Sequence, residues 1–185
     1  MLLRMSLRPA LLLSLVLSLA CAAGLLAAAP APASAAAPTV VLLVRHAEKA
    51  TGDNPVLTPA GEQRAQALVH VLKDAGLKAI YSTPYRRTQQ TAAPLAARLG
   101  LPVTVRDADE KSAAAFIREL VRTHAGSTVL VVGHSNTLPS LAEALTGMRG
   151  PPIGDATYDT LLVATLPAAG PPHLLTLRYG AASEP

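Results

Sequence analysis

Two histidines and two arginines occupy positions where a folded chain would gather them. Val44-Arg45-His46 closes one apolar run and Val132-Gly133-His134 closes another. A polar residue just past a buried strand is rigidly held and faces the cleft at the carboxyl end of the sheet, where open α/β folds bind ligands. Between these two lies Ser82-Thr83-Pro84-Tyr85-Arg86-Arg87, after the short strand Ala79–Tyr81. It places Arg87 in the first turn of a helix, where free N–H groups and the helix dipole favour an anion. The guanidinium fork suits phosphate oxygens, and a histidine with a charge tunable near neutral pH suits phosphoryl transfer. The residue types alone describe a phosphate-handling pocket.

The elements that must position these groups are readable too. Thr39-Val-Val-Leu-Leu-Val44 and Thr128-Val-Leu-Val-Val132 are unbroken, largely β-branched runs, the mark of strands buried on both faces. Thr58, Pro59 and Glu62 start a helix, Ala65, Leu68, Val69 and Leu72 form its buried stripe, and Gly76 is expected to stop it. Thr83-Pro84 is expected to open a second helix running through Leu99. Val103–Val105 reads as a short strand, and Phe116, Ile117, Leu120 and Val121 as the stripe of a third helix. A fourth helix runs to about Leu145, and the tail reads as two strands, Tyr158–Leu166 and Leu174–Tyr179. Alternating strands and helices predict a three-layer α/β domain with a mainly parallel sheet and helices on both faces.

Four blocks carry a family resemblance. Arg45-His46-Ala47-Glu48 resembles the Arg-His-Gly-Glu signature of the histidine phosphatase (phosphoglycerate mutase-like) superfamily. Leu57-Thr58-x-x-Gly61-x-x-x-Ala65 resembles the element that follows it. Ser82-Thr83-Pro84-x-x-Arg87-x-x-Gln90-Thr91-Ala92 resembles the S-P-x-x-R-x-x-Q-T-A block, and Val131-Val132-Gly133-His134-Ser135 the second-histidine block. The blocks come in the family's order over roughly residues 40–180. The resemblance implies a phosphoglycerate mutase-like fold and a phosphohistidine formed on His46. Arg45, Arg87 and His134 would hold the phosphoryl oxygens and neutralise charge, a division of labour suited to phosphoryl transfer. Neutral His46 can attack through one ring nitrogen if the other donates to a fixed acceptor, with a backbone carbonyl the expected one.

The sequence departs from that pattern in two places. Ala47 stands where the family has glycine, a change expected to be tolerated. The family's proton donor is a carboxylate beyond the second arginine, and Asp107-Ala-Asp-Glu110 matches poorly there. Glu110 is the first candidate, Asp109 the second and Asp155 the third. Asn54 and Asn136 are candidate substrate-binding residues, with helix capping the competing reading for Asn136 and Thr137. Glu48 and Lys49 either pair with one another or line the pocket mouth.

Composition bounds the partners. Sixteen Lys+Arg against twelve Asp+Glu give +4, and two of those arginines, Arg4 and Arg8, lie in a segment expected to be removed. So mild a charge, with no basic run of five or more, does not argue for nucleic acid. The single cysteine, Cys21, excludes an internal disulfide framework and a thiolate metal cluster, and the five histidines lack ligand spacing. No metal or cofactor is expected.

Residues 1–37 read as a signal peptide and small-residue tract, and 38–185 as the domain. Arg4 and Arg8 precede the uncharged apolar run Leu11–Ala29, and Ala33-Ser34-Ala35 fits an A-x-A cleavage site. Lipidation at Cys21, or retention of the run as an anchor, are the other readings, and only these would tie the protein to a membrane. All three predict a location outside the cytoplasm, periplasmic or secreted. The expected function is an exported, metal-independent phosphomonoesterase acting on a small phosphorylated substrate. Its alternatives are a phosphohistidine phosphatase, an envelope sugar-phosphate phosphatase or a non-catalytic phospho-ligand-binding envelope protein.

Overall fold

Strand β1 (Thr39–Arg45) is almost wholly buried because it lies inside the sheet and is covered on both faces. The computed structural model describes residues 36–107 and 112–183; the expected export segment with Cys21, and the carboxylates Asp109 and Glu110, lie outside the described residues. The other strands are β2 (Leu77–Ser82), β3 (Val103–Val105), β4 (Thr128–Gly133), β5 (Thr160–Leu166) and β6 (His173–Arg178). Their order is β3-β2-β4-β1-β5-β6. The first four are parallel, while β5 pairs antiparallel with β1 and β6 antiparallel with β5, as the hairpin of the tail.

Successive strand residues point to opposite faces, so each central strand feeds two cores. Leu42, Val44, Leu130 and Val132 pack with Leu68 and Leu72 of α1 (Pro59–Leu72) and Leu95 of α2 (Arg86–Leu99). Val41, Leu43, Val129 and Val131 pack on the other face with Phe116, Ile117 and Leu120 of α3 (Ala113–Thr123) and Leu141 of α4 (Leu138–Thr146). Each fully buried Leu, Ile or Val contributes about 1.5–3 kcal/mol, so these two layers set the strand positions firmly. Among the described residues no helix is long and apolar enough to cross a membrane.

Helix boundaries shift from expectation where local bonds compete. The α1 helix begins as read, with the Thr58 hydroxyl accepting from Gly61 N at 3.2 Å and Pro59 at the first position. It ends at Leu72, before Gly76, which instead adopts φ +68 in the turn into β2. The second helix starts at Arg86, three residues after Thr83. Thr83 and Pro84 are withheld from it by a tight turn in which the Thr88 hydroxyl faces the carbonyls of Thr83 and Tyr85 at 3.0 and 2.8 Å.

Candidate active site

Strand register brings the reactive residues together. Arg45 of β1 pairs with Gly133 of β4, and His46 N donates to Gly133 O at 3.0 Å. His46 and His134, the next residue of each strand, therefore leave the sheet side by side, with ring centroids 5.4 Å apart. Ser82 of β2 pairs with Val132, which sets Thr83 next to His134. The chain leaves β1 toward α1 on one face and β4 toward α4 on the other, so a crevice opens between them, the usual ligand position in such sheets. The cleft there measures about 770 Å³ and is lined by Arg45, His46, Lys49, Tyr85, Arg87, Asp107 and His134, among others. A groove of about 640 Å³ between α1 and α2 has no Lys, Arg or His in its lining.

His46 Nδ1 lies 2.8 Å from the carbonyl of Ala47. A carbonyl only accepts, so Nδ1 carries the ring proton and Nε2 keeps its lone pair. Burial, then the charges of Arg45, His134 and Arg87, lower the His46 pKa to about 3, against the smaller upward pull of that carbonyl. Burial, then Arg87 and Arg45, lower His134 to about 4. Both rings are neutral at neutral pH, which makes His46 a competent nucleophile.

The arginines are held but not neutralised. Arg45 donates from Nη1 to the carbonyls of Gly154, Asp155 and Thr157 at 2.7, 2.9 and 3.0 Å, and its guanidinium lies 4.2 Å over the Tyr158 ring. The Arg87 guanidinium lies 4.3 Å over the Tyr85 ring. Among the described residues neither arginine has a carboxylate partner, and both Nε atoms are buried without an acceptor. Two buried donors on two cations are costly unless an anion completes them. Among the described residues no three His, Cys, Asp or Glu side chains converge as metal ligands.

The remaining motif residues build the frame. Thr91 accepts from Ala47 N at 2.9 Å and donates to Arg87 O at 2.7 Å, tying the loop after His46 to the helix that carries Arg87. Gln90 accepts from Leu57 N at 2.9 Å. Ala47 is fully buried against Leu57 and Ala65 and has no positive φ, so its methyl fits where the family has glycine. Glu48 pairs with Arg64 at 2.7 Å, and Arg64 also donates to Tyr179 O at 2.9 Å. This pair settles the reading of Glu48 and Lys49: Glu48 turns inward to α1, and Lys49 lines the cleft. Arg64 is not singled out by the sequence, although helical spacing sets it beside Gly61 and Leu68 on the buried face of α1.

The other candidates divide. Asn136 lines the cleft. Thr137 closes the turn beneath His134, accepting from His134 N at 3.2 Å. Asn54 stands outside the lining of the cleft, and its carboxamide oxygen accepts from Arg86 N at 2.9 Å at the start of α2. Asp155 offers its backbone carbonyl to Arg45, and its side chain is exposed. The one carboxylate among the described residues that lines the cleft is Asp107, which the sequence reading passed over in favour of its neighbours.

These features define a class, an α/β domain with a cleft built on two histidines and two arginines. The family model of the histidine phosphatase superfamily (branch 1) matches residues 41–108, which hold Arg45, His46 and Arg87. Solved structures share the fold. The protein histidine phosphatase SixA, complexed with tungstate, is 21% identical with a TM-score of 0.62, over 75% of this chain and 96% of its own. A mutant phosphoserine phosphatase of Entamoeba histolytica, in complex with phosphoserine, is 18% identical with a TM-score of 0.60, over 74% and 94%. Mycobacterial glucosyl-3-phosphoglycerate phosphatase is 17% identical with a TM-score of 0.59, over 69% and 90%. No curated protein matches the chain in sequence.

Proposed function

We propose that the protein is a phosphomonoesterase that works through a phosphohistidine on His46. The observation that carries this reading is a neutral histidine, pinned through Nδ1, in one cleft with two arginines whose inner donors lack partners. The substrate phosphoryl group occupies the space between Arg45 and Arg87, with His134 alongside. The His46 Nε2 lone pair attacks phosphorus, the P–O ester bond breaks, and the departing oxygen takes a proton from a carboxylic acid. Glu110 is the proposed donor. Water then attacks the phosphohistidine and gives a proton to that carboxylate, the P–N bond breaks, and phosphate leaves with neutral His46 and the carboxylic acid restored. Arginine charge does the electrostatic work throughout, which supports a reaction independent of metal.

Small phosphomonoesters are the proposed substrates, in keeping with relatives named for phosphoserine and glucosyl-3-phosphoglycerate. The turns at the site are short, three residues between β2 and α2 (83–85) and four between β4 and α4 (134–137), and this supports access by a bulkier phosphohistidine partner as the second reading. The charged start, apolar run and small-residue tract of residues 1–37 support export to the periplasm or exterior.

The test is turnover of an aryl phosphate by the purified protein in the presence of EDTA, with acid-quenched enzyme examined for label on His46. His46→Ala is expected to abolish both while the far-ultraviolet spectrum stays native. Undiminished turnover by a folded His46→Ala variant, or complete loss of wild-type activity in EDTA, overturns the reading.

A further inference from the structure

His134 holds one hydrogen bond that the phosphatase reading leaves unused. Its Nε2 lies 2.9 Å from the Thr83 hydroxyl, which lies 2.8 Å from the Thr88 hydroxyl, which in turn lies 2.8 Å from Tyr85 O and 3.0 Å from Thr83 O. Both threonines are buried, at 3% and 0% exposure, so the chain is shielded from competing water.

The far end sets its direction. A carbonyl cannot donate, so the single Thr88 hydroxyl proton goes to Tyr85 O or Thr83 O. Thr88 Oγ1 is then left to accept, and the Thr83 hydroxyl supplies that proton. Thr83 Oγ1 is left to accept in its turn, and the donor is His134 Nε2–H. The opposite order would aim hydroxyl lone pairs at two carbonyl oxygens in a buried site. Around the ring stand His46 and Arg45 from β1 and Tyr85 and Arg87 from the start of α2. Among the described residues none of these hydrogen-bonds it, and Tyr85 meets it edge-on at 5.2 Å.

We propose that Thr88, acting through Thr83, is a positioning residue that locks His134 in the Nε2–H tautomer and presents the bare Nδ1 to the cleft as a proton acceptor. This rests on reading the cleft as a phosphoryl site. A phosphate monoanion arriving there gives its P–OH proton to Nδ1, leaving a dianion beside an imidazolium whose Nε2–H still feeds the relay. A ring locked the other way round would donate from Nδ1 while neutral and could not take that proton.

Nitrogen NMR of the histidine-labelled protein, free of substrate at neutral pH, reads the tautomer directly. His134 is expected as Nε2–H with Nδ1 unprotonated. In Thr88→Val the Thr83 hydroxyl loses its acceptor and turns to Nε2, so the signal shifts toward the Nδ1–H form. The kcat falls about 10-fold or more, the scale for losing a partner that orients an active-site histidine. Thr88→Ser restores both. An Nδ1–H signal in the wild type overturns the relay, as does a folded Thr88→Val with unchanged tautomer and kcat. The wild-type tautomer needs neither substrate nor variant, so failure of the phosphatase reading shows separately, in the turnover assay.

Discussion

The carbonyl oxygen of Glu48 stands where a β-carbon on Gly61 would be, far inside any permitted contact. Gly61 is helical, with no positive φ, so its need is for space. The close approach lets Glu48 O accept from Thr58 N at 2.9 Å and brings the Glu48 carboxylate to Arg64, docking the loop after His46 onto α1. Gly61→Ala should push the helix from that loop and lower stability by about 1–3 kcal/mol, the usual range for overpacking. Denaturant titration reads the loss, and turnover should fall with it because His46 moves too.

The Arg64–Glu48 pair makes a sharper prediction. Arg64 is 3% exposed and Glu48 23%. Arg64→Met keeps volume but strands the carboxylate, which places the cost toward the low end of the roughly 3–5 kcal/mol typical for half-broken buried pairs. The double variant Arg64→Met/Glu48→Gln should recover part of it. A single variant as stable as the wild type would show that the pair does not anchor the loop.

Arg87 is the test of charge against geometry. Arg87→Lys keeps the cation but loses the planar fork and its stacking on Tyr85. The expected loss is about 10²-fold in kcat/KM for an aryl phosphate, the scale for one charge-stabilising donor. Inhibition by vanadate or tungstate should weaken in parallel, and wild-type behaviour in both assays would make Arg87 a rim residue.

Acid should weaken the fold through the two site histidines. Their pKa values near 3 and 4 lie below the unfolded value of about 6.5, so in that window the unfolded chain binds protons that the folded chain does not. This stability is complete above about pH 6.5 and is lost as pH falls toward the folded values. Each histidine adds a slope of about 1.4 kcal/mol per pH unit within its window. Denaturant midpoints measured down the acid limb should fall less steeply for His134→Gln than for the wild type, and parallel curves would refute the depressed His134 pKa.

Proton donation separates two neighbouring carboxylates. An alkoxide leaving group needs a proton, and an aryl oxide of low pKa needs it far less. Glu110→Gln should cripple hydrolysis of sugar phosphates, spare an activated aryl phosphate by comparison and flatten the basic limb of the pH profile. Asp107→Asn is the companion measurement because Asp107 lines the cleft. The substrate-selective loss following Asp107 would move the donor there.

Local composition by itself determined the scaffold of this protein. Runs of Val and Leu make β1 and β4 strands wherever they are buried, and His46 and His134 follow them by chain connectivity alone. Spacing also carried α1 with its Thr58 cap and the helix bearing Arg87. Tertiary structure decided what depends on residues distant in sequence. The Nη1 group of Arg45 meets a loop 109 to 112 residues away, Arg64 finds Glu48, and the Asn54 carboxamide accepts from the first N–H of α2. The start of α2 and the tautomer of His134 belong there too, since both follow from which carbonyls a buried threonine hydroxyl meets. Propensity and periodicity report on neighbours along the chain, whereas partner choice for a buried polar group is made among whatever atoms the packed layers bring within 3 Å.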